Sequence, residues 1–294
     1  EPFAFQDCCS LTHIEIPPSV TRIQNETFMN CPSLREIILP STIDSIDPGA
    51  FSSCSSLEEI AIPNIKKIEE LTFCRCEKLK KISIPSSVKS IKKSAFERCS
   101  SLVEIEIPPL VTLIEKRAFY FCKGLKKVVI HDKVQMIKDE AFSNCASLEE
   151  IRIPRSVTQI CKSAFSKCSN LKMIEMPTLT KIENYAFEKI SPDAEIVYIS
   201  SALSTKDVPN YWYCQEVKAK SLLINATIIG DHAFYGFNEL QEINIPHSVT
   251  QIEKSAFEGC EHLYKLTLPS SLLSIKERAF ADCPSLCWVD ISKS

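Results

Sequence analysis

Glycine is scarce in this chain, five residues in 294 against 17 prolines, which excludes collagen-like and low-complexity readings. Neither charge sign is in excess. The 34 Lys and Arg against 37 Asp and Glu leave a net charge of −3, so no basic footprint points to nucleic acid or an anionic membrane surface. No apolar run approaches the roughly 18 residues of a membrane span. The opening Glu1-Pro-Phe-Ala-Phe lacks the basic and apolar regions of a secretory signal and reads as a mature or trimmed fragment. Nucleophile elbows, Gly-rich phosphate loops and paired carboxylates at helical spacing are all missing. His13, His131, His232, His247 and His262 share no spacing. The expectation is therefore no enzyme, no catalytic residue, no cofactor and no metal.

What the chain has is repetition. Ser94–Pro108 reads Ser-Ala-Phe-Glu-Arg-Cys-Ser-Ser-Leu-Val-Glu-Ile-Glu-Ile-Pro, and Ser163–Pro177 repeats it with substitutions. Anchors fall at Phe5, Phe28, Phe51, Phe73, Phe96, Phe119, Phe142, Phe165, Phe187, Tyr211, Phe234, Phe257 and Phe280, about 13 units of 22–24 residues. Leu follows six residues after most anchors, apolar residues follow at nine and 11 (Ile105 and Ile107), and Pro stands at the twelfth position in nine units. Apolar residues two apart with charges between them signal a short half-buried strand, which proline ends because it cannot donate to the ladder. A second apolar pair, such as Val88 and Ile91, crosses the outer side. The Ala-Phe pair is expected to begin a short helical return.

One unit cannot bury its own apolar edge, so the units must stack. At about 4.8 Å per parallel strand, such a stack is on the order of 60 Å long. The expected fold class is α/β: a curved leucine-rich repeat solenoid, 1–294 as one domain, with a parallel sheet on the concave face and short helical or irregular returns. The pattern Ala-Phe-x-x-Cys-x-x-Leu-x-x-Ile-x-Ile-Pro-x-Ser-Val-x-x-Ile, nearly intact at Ala141–Ile160 and Ala256–Ile275, resembles the BspA-like (Treponema-type) leucine-rich repeats. The glycine common in that family after the second Ile survives only as Gly230; Glu69, Lys92, Glu115, Lys138, Glu183, Glu253 or Lys276 replaces it.

Eleven of the 15 cysteines sit three residues after an anchor, where Ile190 and Phe237 also occur. A slot that accepts plain hydrophobes demands burial, which a free thiol tolerates. The expectation is a column of reduced thiols, with Cys9, Cys74, Cys161 and Cys287 off the register and no second Cys pair or His-x-x-x-His to complete a zinc set.

The surface that can bind is the exposed side of the strands, at the eighth and tenth positions. Candidate protein-binding residues are Glu36, Glu59, Lys81, Glu104, Glu106, Lys127, Glu150, Arg152, Met173, Glu175, Glu195, Glu242 and Trp288. Ten acids and four Lys or Arg at these two positions lean the face negative, beside a more basic edge of Arg35, Lys80, Lys126, Lys172 and Lys218. Such stripes either steer protein encounters or only keep a sheet face soluble. The array is irregular at 188–223, where Tyr211, Trp212 and Tyr213 cluster as interface anchors or as core substitutes. Asn25-Glu-Thr27 and Asn225-Ala-Thr227 match a glycosylation pattern at near-chance frequency.

The partner expected is therefore a protein, on the concave face or the irregular unit, with no nucleic acid and no membrane insertion. The resemblance implies a microbial cell-surface or secreted protein binding host, matrix or cell-surface proteins. The alternative is a cytoplasmic scaffold or recognition domain of a larger protein.

Overall fold

The structure is a computed structural model that describes residues 1–177, 180–192, 194–199, 221–225, 227–238 and 240–292. The described residues form 24 short strands and no helix. Backbone packing divides the chain into two compact units, Glu1–Leu171 with Ile182–Ile190 and Lys172–Lys181 with Ser191–Ser294.

In the first unit each coil places a three-residue strand where the apolar alternation puts it. Ile105 and Val128 face each other across the parallel pair Glu104–Glu106 and Lys127–Val129, each buried between two outward residues. The second apolar pair forms its own ladder of two-residue strands, Lys67–Ile68, Ser90–Ile91, Leu113–Ile114, Met136–Ile137 and Gln159–Ile160. Between the two ladders the strand-ending proline opens a tight turn. The Pro85 carbonyl accepts the Val88 amide at 3.0 Å, and Pro154 accepts Val157 likewise. The serine before that Val has a role the motif did not disclose. The Ser87 hydroxyl donates to the Ile65 carbonyl of the preceding coil at 2.7 Å, and Ser156 donates to Val134 at 2.6 Å.

The return segment is not helical, which corrects the expectation from sequence. Residues two before and two after each described anchor hold positive φ, as at Ser94 (54°) and Arg98 (63°) around Phe96. An α-helix needs φ near −63°, so a left-handed residue every fourth position forbids one. The amides alternate instead. Those of Ser94, Phe96 and Arg98 donate to Lys116, Ala118 and Tyr120 of the next coil at 3.0, 2.8 and 2.7 Å. Those of Ala95, Glu97 and Cys99 bond three residues back within their own coil. The returns are thus a third ladder between coils, and the label α/β gives way to an all-strand-and-turn solenoid. Gly49, Gly236 and Gly259 occupy three of these left-handed positions. Glu69, Lys92 and the other residues replacing the family's glycine are not among the positive-φ set, so that slot accepts any side chain.

Inside the coils the anchors stack face to face. From Phe5 to Phe187 successive ring centroids lie 5.2–5.6 Å apart with planes within 11°. Beside them runs the thiol column. Cys122 Sγ donates to the Phe96 carbonyl of the preceding coil at 3.1 Å, and Cys54, Cys76, Cys99, Cys145 and Cys168 repeat the contact at 3.1–3.3 Å. All the described cysteines are free. The slot therefore selects for burial, as read from sequence, and also uses the weak S–H donor. Burial pushes the Cys54 thiol up to about 12 and Cys31 up to about 11.

The second unit repeats the plan with five-residue strands, Met173–Pro177, Glu195–Ile199, Ser221–Asn225, Lys265–Pro269 and Trp288–Ser292, and the three-residue Glu242–Asn244, in one parallel sheet. Its register corrects one reading. Counted from Tyr211, Ser221 falls at the tenth position, but it pairs with Glu242 at the eighth, and Leu222 pairs with Ile243. A slip of two residues leaves the strand's alternation intact and aligns Leu222 with the apolar column, so the strand and not the aromatic sets the count.

Candidate protein-binding face

Alternation along the strands exposes Glu36, Glu59, Lys81, Glu104, Glu106, Lys127, Glu150 and Arg152 on the first unit. The lateral pairing puts the eighth-position residues one coil apart, Glu59 beside Lys81 and Glu104 beside Lys127. The structure brings Lys81, Glu104, Glu106 and Lys127 together around a cavity of about 460 Å³, with Ile84, Pro108 and Pro109 on its apolar side. The volume is within the range of ligand pockets, about 300–1,000 Å³. Glu106 Oε1 lies 2.9 Å from His131 Nε2, and Glu36 lies 3.3 Å from His13, so two of the acids have partners on a neighbouring coil. At the basic edge, Lys80 pairs with Glu58 at 2.7 Å and holds that carboxyl below its ordinary value. Val103, between Lys80 and Lys126 in the same column, is exposed.

On the second unit Met173 and Trp288 are exposed, while Glu175 and Glu242 are half-buried. Glu242 accepts the Tyr264 hydroxyl and pairs with Lys265 at 3.2 Å; the tyrosine first and the lysine second lower its pKa. Glu195 lies on the strand Glu195–Ile199 opposite Met173. Tyr211, Trp212 and Tyr213, with Lys218, lie outside the described residues.

Two groupings escaped the sequence. The Phe121 ring is flanked by cations, Arg98 Cζ at 5.0 Å and Lys123 Nζ at 4.5 Å from its centre, because its left-handed position sits one coil from Arg98. The signal was present in the column Arg75, Arg98, Phe121 but needed the turn geometry to be read. Asp139, Cys161 and Glu183 gather with their ligand atoms within 4.8 Å of one another. The Glu183 carboxylate already accepts Gln159 Nε2 at 2.6 Å and the Lys162 amide at 3.1 Å, so it serves as a hydrogen-bond hub between coils.

Parallel strands one coil apart, a buried Leu column and a stacked anchor in every 22–24 residues make this a leucine-rich repeat solenoid. The chain belongs to the BspA type Leucine rich repeat region family, which matches it in six copies over residues 1–126, 95–218 and 206–294. Among solved structures it is similar to a leucine-rich repeat protein from Bacteroides ovatus. That protein is 29% identical, with 95% of this chain and 86% of that chain covered and a TM-score of 0.46. A leucine rich cell surface protein from Faecalibacterium prausnitzii is 25% identical over 97% of this chain and 89% of that chain, TM-score 0.47. A leucine-rich repeat protein from T. pallidum is 24% identical over 70% and 77%, TM-score 0.32. A search of the curated proteins found no significant match. Leucine-rich repeat proteins of this kind are typically protein-interaction modules. Among the described residues no helix is long and apolar enough to cross a membrane.

Proposed function

We propose that this chain is a non-catalytic module that binds a protein partner on the exposed strand face of its repeats. The observation that carries the reading is the cavity at Lys81, Glu104, Glu106 and Lys127, where charged side chains of both signs stand together with Ile84, Pro108 and Pro109. The family resemblance supports a place at the surface of a microbe, or secretion from it, with host, matrix or cell-surface proteins as ligands. The irregular unit at 188–223, with its aromatic cluster, is a second contact in this reading. One observation favours the other compartment. All described cysteines are free thiols, Cys9 and Cys287 exposed among them, as a reducing cytoplasm keeps them. In that case the same face serves an intracellular scaffold.

Two experiments test this. Charge reversal of Glu36, Glu59 and Glu104 to Lys weakens capture of the partner while unfolding stays cooperative; unchanged capture moves the site off this face. Impermeant biotinylation of intact source cells labels the protein if it is surface-displayed, and protection until lysis assigns it to the cytoplasm.

A further inference from the structure

In two places along the thiol column, neighbouring sulfurs meet. Among the described residues, Cys145 is hydrogen-bonded to Cys168 and Cys260 to Cys283, each pair one coil apart in the same slot. Access separates the two pairs. Cys145, Cys168 and Cys260 are fully buried, whereas Cys283 is half-exposed. Cys8 is half-exposed too, but no thiol–thiol bond joins it to Cys31 on the next coil.

The surroundings of Cys283 favour its charged form. The Cys260 thiol first, and then the backbone amides of Cys260 and Gly259, bring its pKa down to about 7, against burial and Asp282, which raise it. About half of it is therefore thiolate, the reactive form, at neutral pH. The same contact and burial push the Cys260 thiol up, so Cys260 keeps its proton while Cys283 is charged. Once Cys283 is oxidised, the thiolate that held this proton is gone. The coils also lie close enough to be bridged. Phe257 and Phe280, three residues before the two cysteines, stack at 5.0 Å. A disulfide takes Cα atoms about 4.4–6.8 Å apart.

We propose that Cys283 and Cys260 form a dithiol site for hydroperoxides, which closes to a disulfide between adjacent coils. In the first step the Cys283 thiolate attacks one oxygen of hydrogen peroxide. An S–O bond forms, the O–O bond breaks, and hydroxide leaves as water with the proton that Cys283 released. In the second step Cys260 Sγ attacks the sulfenic sulfur. The S–O bond breaks, and the hydroxyl leaves as water with the Cys260 proton. Two thiols are oxidised and one peroxide is reduced to two waters. The bridge ties the coil that carries Trp288 to the coil before it.

The test uses the reduced whole chain, freed of reductant and treated near pH 7 with hydrogen peroxide equimolar to protein. It is then denatured, alkylated and mapped by mass spectrometry without reduction. The expected product is a Cys260–Cys283 link, with free thiols falling by two from 15 and Cys145 and Cys168 still alkylated. Cys260→Ala should leave Cys283 as a sulfenic acid that dimedone traps, and Cys283→Ala should abolish thiol loss at this dose. Ile190 and Phe237 fill the same slot in other units, so both variants are expected to keep the wild-type circular dichroism. If Cys260→Ala does not fold, Cys260→Ser takes its place, with a hydroxyl donor for the Phe234 carbonyl that Cys260 contacts at 3.3 Å. The proposal is overturned by an unchanged thiol count or by loss of Cys9 or Cys287 before Cys283. Equal bridging of Cys145 to Cys168, or oxidation of Cys283 with no link to Cys260, overturns it as well.

Discussion

Replacing Phe119 by Ala removes one ring from the middle of the aromatic column. The ring is fully buried, 5.3 Å from Phe96 and 5.2 Å from Phe142, with interplanar angles of 2° and 4°. Buried Phe→Ala changes cost about 3–5 kcal/mol, the spread reflecting how far the site collapses. Collapse is hindered here because the backbone is held on both sides, by Phe119 N–H to Ala141 and by Phe96 N–H to Ala118, each at 2.8 Å. The expected loss is therefore about 4–5 kcal/mol, the upper half of that range. Phe5 is the internal control, since it is 37% exposed and its one ring contact is Phe28 at 5.2 Å. Its replacement should cost about 1 kcal/mol, the worth of partial burial and one aromatic pair. Guanidinium denaturation followed by far-UV circular dichroism gives both values, and hydrogen exchange shows whether protection falls around 96–142. Equal costs at Phe119 and Phe5 would refute a column whose rings support one another.

Arg75 is exposed and left-handed at φ 60°, so Arg75→Val should destabilise by about 1–2 kcal/mol while Arg75→Gly stays within about 0.5; equal melting of the two variants contradicts the turn ladder. Denatured protein should titrate close to 15 thiols without reductant. In the native protein at pH 7.5, iodoacetamide should reach Cys9, Cys287, Cys8 and Cys283 first. The Cys260 thiol, hydrogen-bonded to the Cys283 sulfur, lowers that half-buried thiol's pKa and raises its thiolate fraction, whereas Cys54 is held up near 12. A buried column thiol such as Cys54, Cys99 or Cys122 alkylated as fast as Cys9 would overturn the burial account. The Glu258 carboxyl is lowered to about 2, first by Arg278 at 2.8 Å and then by Ser255. Its folded value lies below the unfolded value of about 4.3, so the stabilisation is full above that pH and lost as pH falls through about 2. Carbon-13 NMR should show Arg278→Ala moving the Glu258 titration up, and no movement would remove Arg278 as the cause.

The parts of this fold with a period of two were legible in the sequence. Ile105 and Val128 fall where alternation placed them, because a half-buried strand writes its geometry into every second residue, whereas the second apolar pair, three residues apart, was read only as an outer crossing and forms the short strands Ser90–Ile91 and Leu113–Ile114. The anchor turn was not legible. Its conformation lies in backbone angles at Ser94, Arg98, Leu71 and Tyr185, residues with no glycine-like signature, held left-handed by bonds to the next coil. The irregular unit was mis-registered because the count ran from Tyr211, while Ile196↔Leu222 shows that strand pairing absorbs 26 residues there. The binding candidates were legible as columns but not as a site. Nothing in the spacing of Lys81, Glu104 and Lys127 announces a recess, which depends on the Pro108-Pro109 turn beside them.

The most direct test of a binding strand face is photo-crosslinking from within it. Benzoylphenylalanine at position 103, where Val103 is 45% exposed between Lys80 and Lys126, should crosslink the partner. The same probe at position 75, on the exposed anchor turn, should not. Crosslinks from position 75 alone, with none from position 103, would contradict the account and move the interface to the turn side of the repeats.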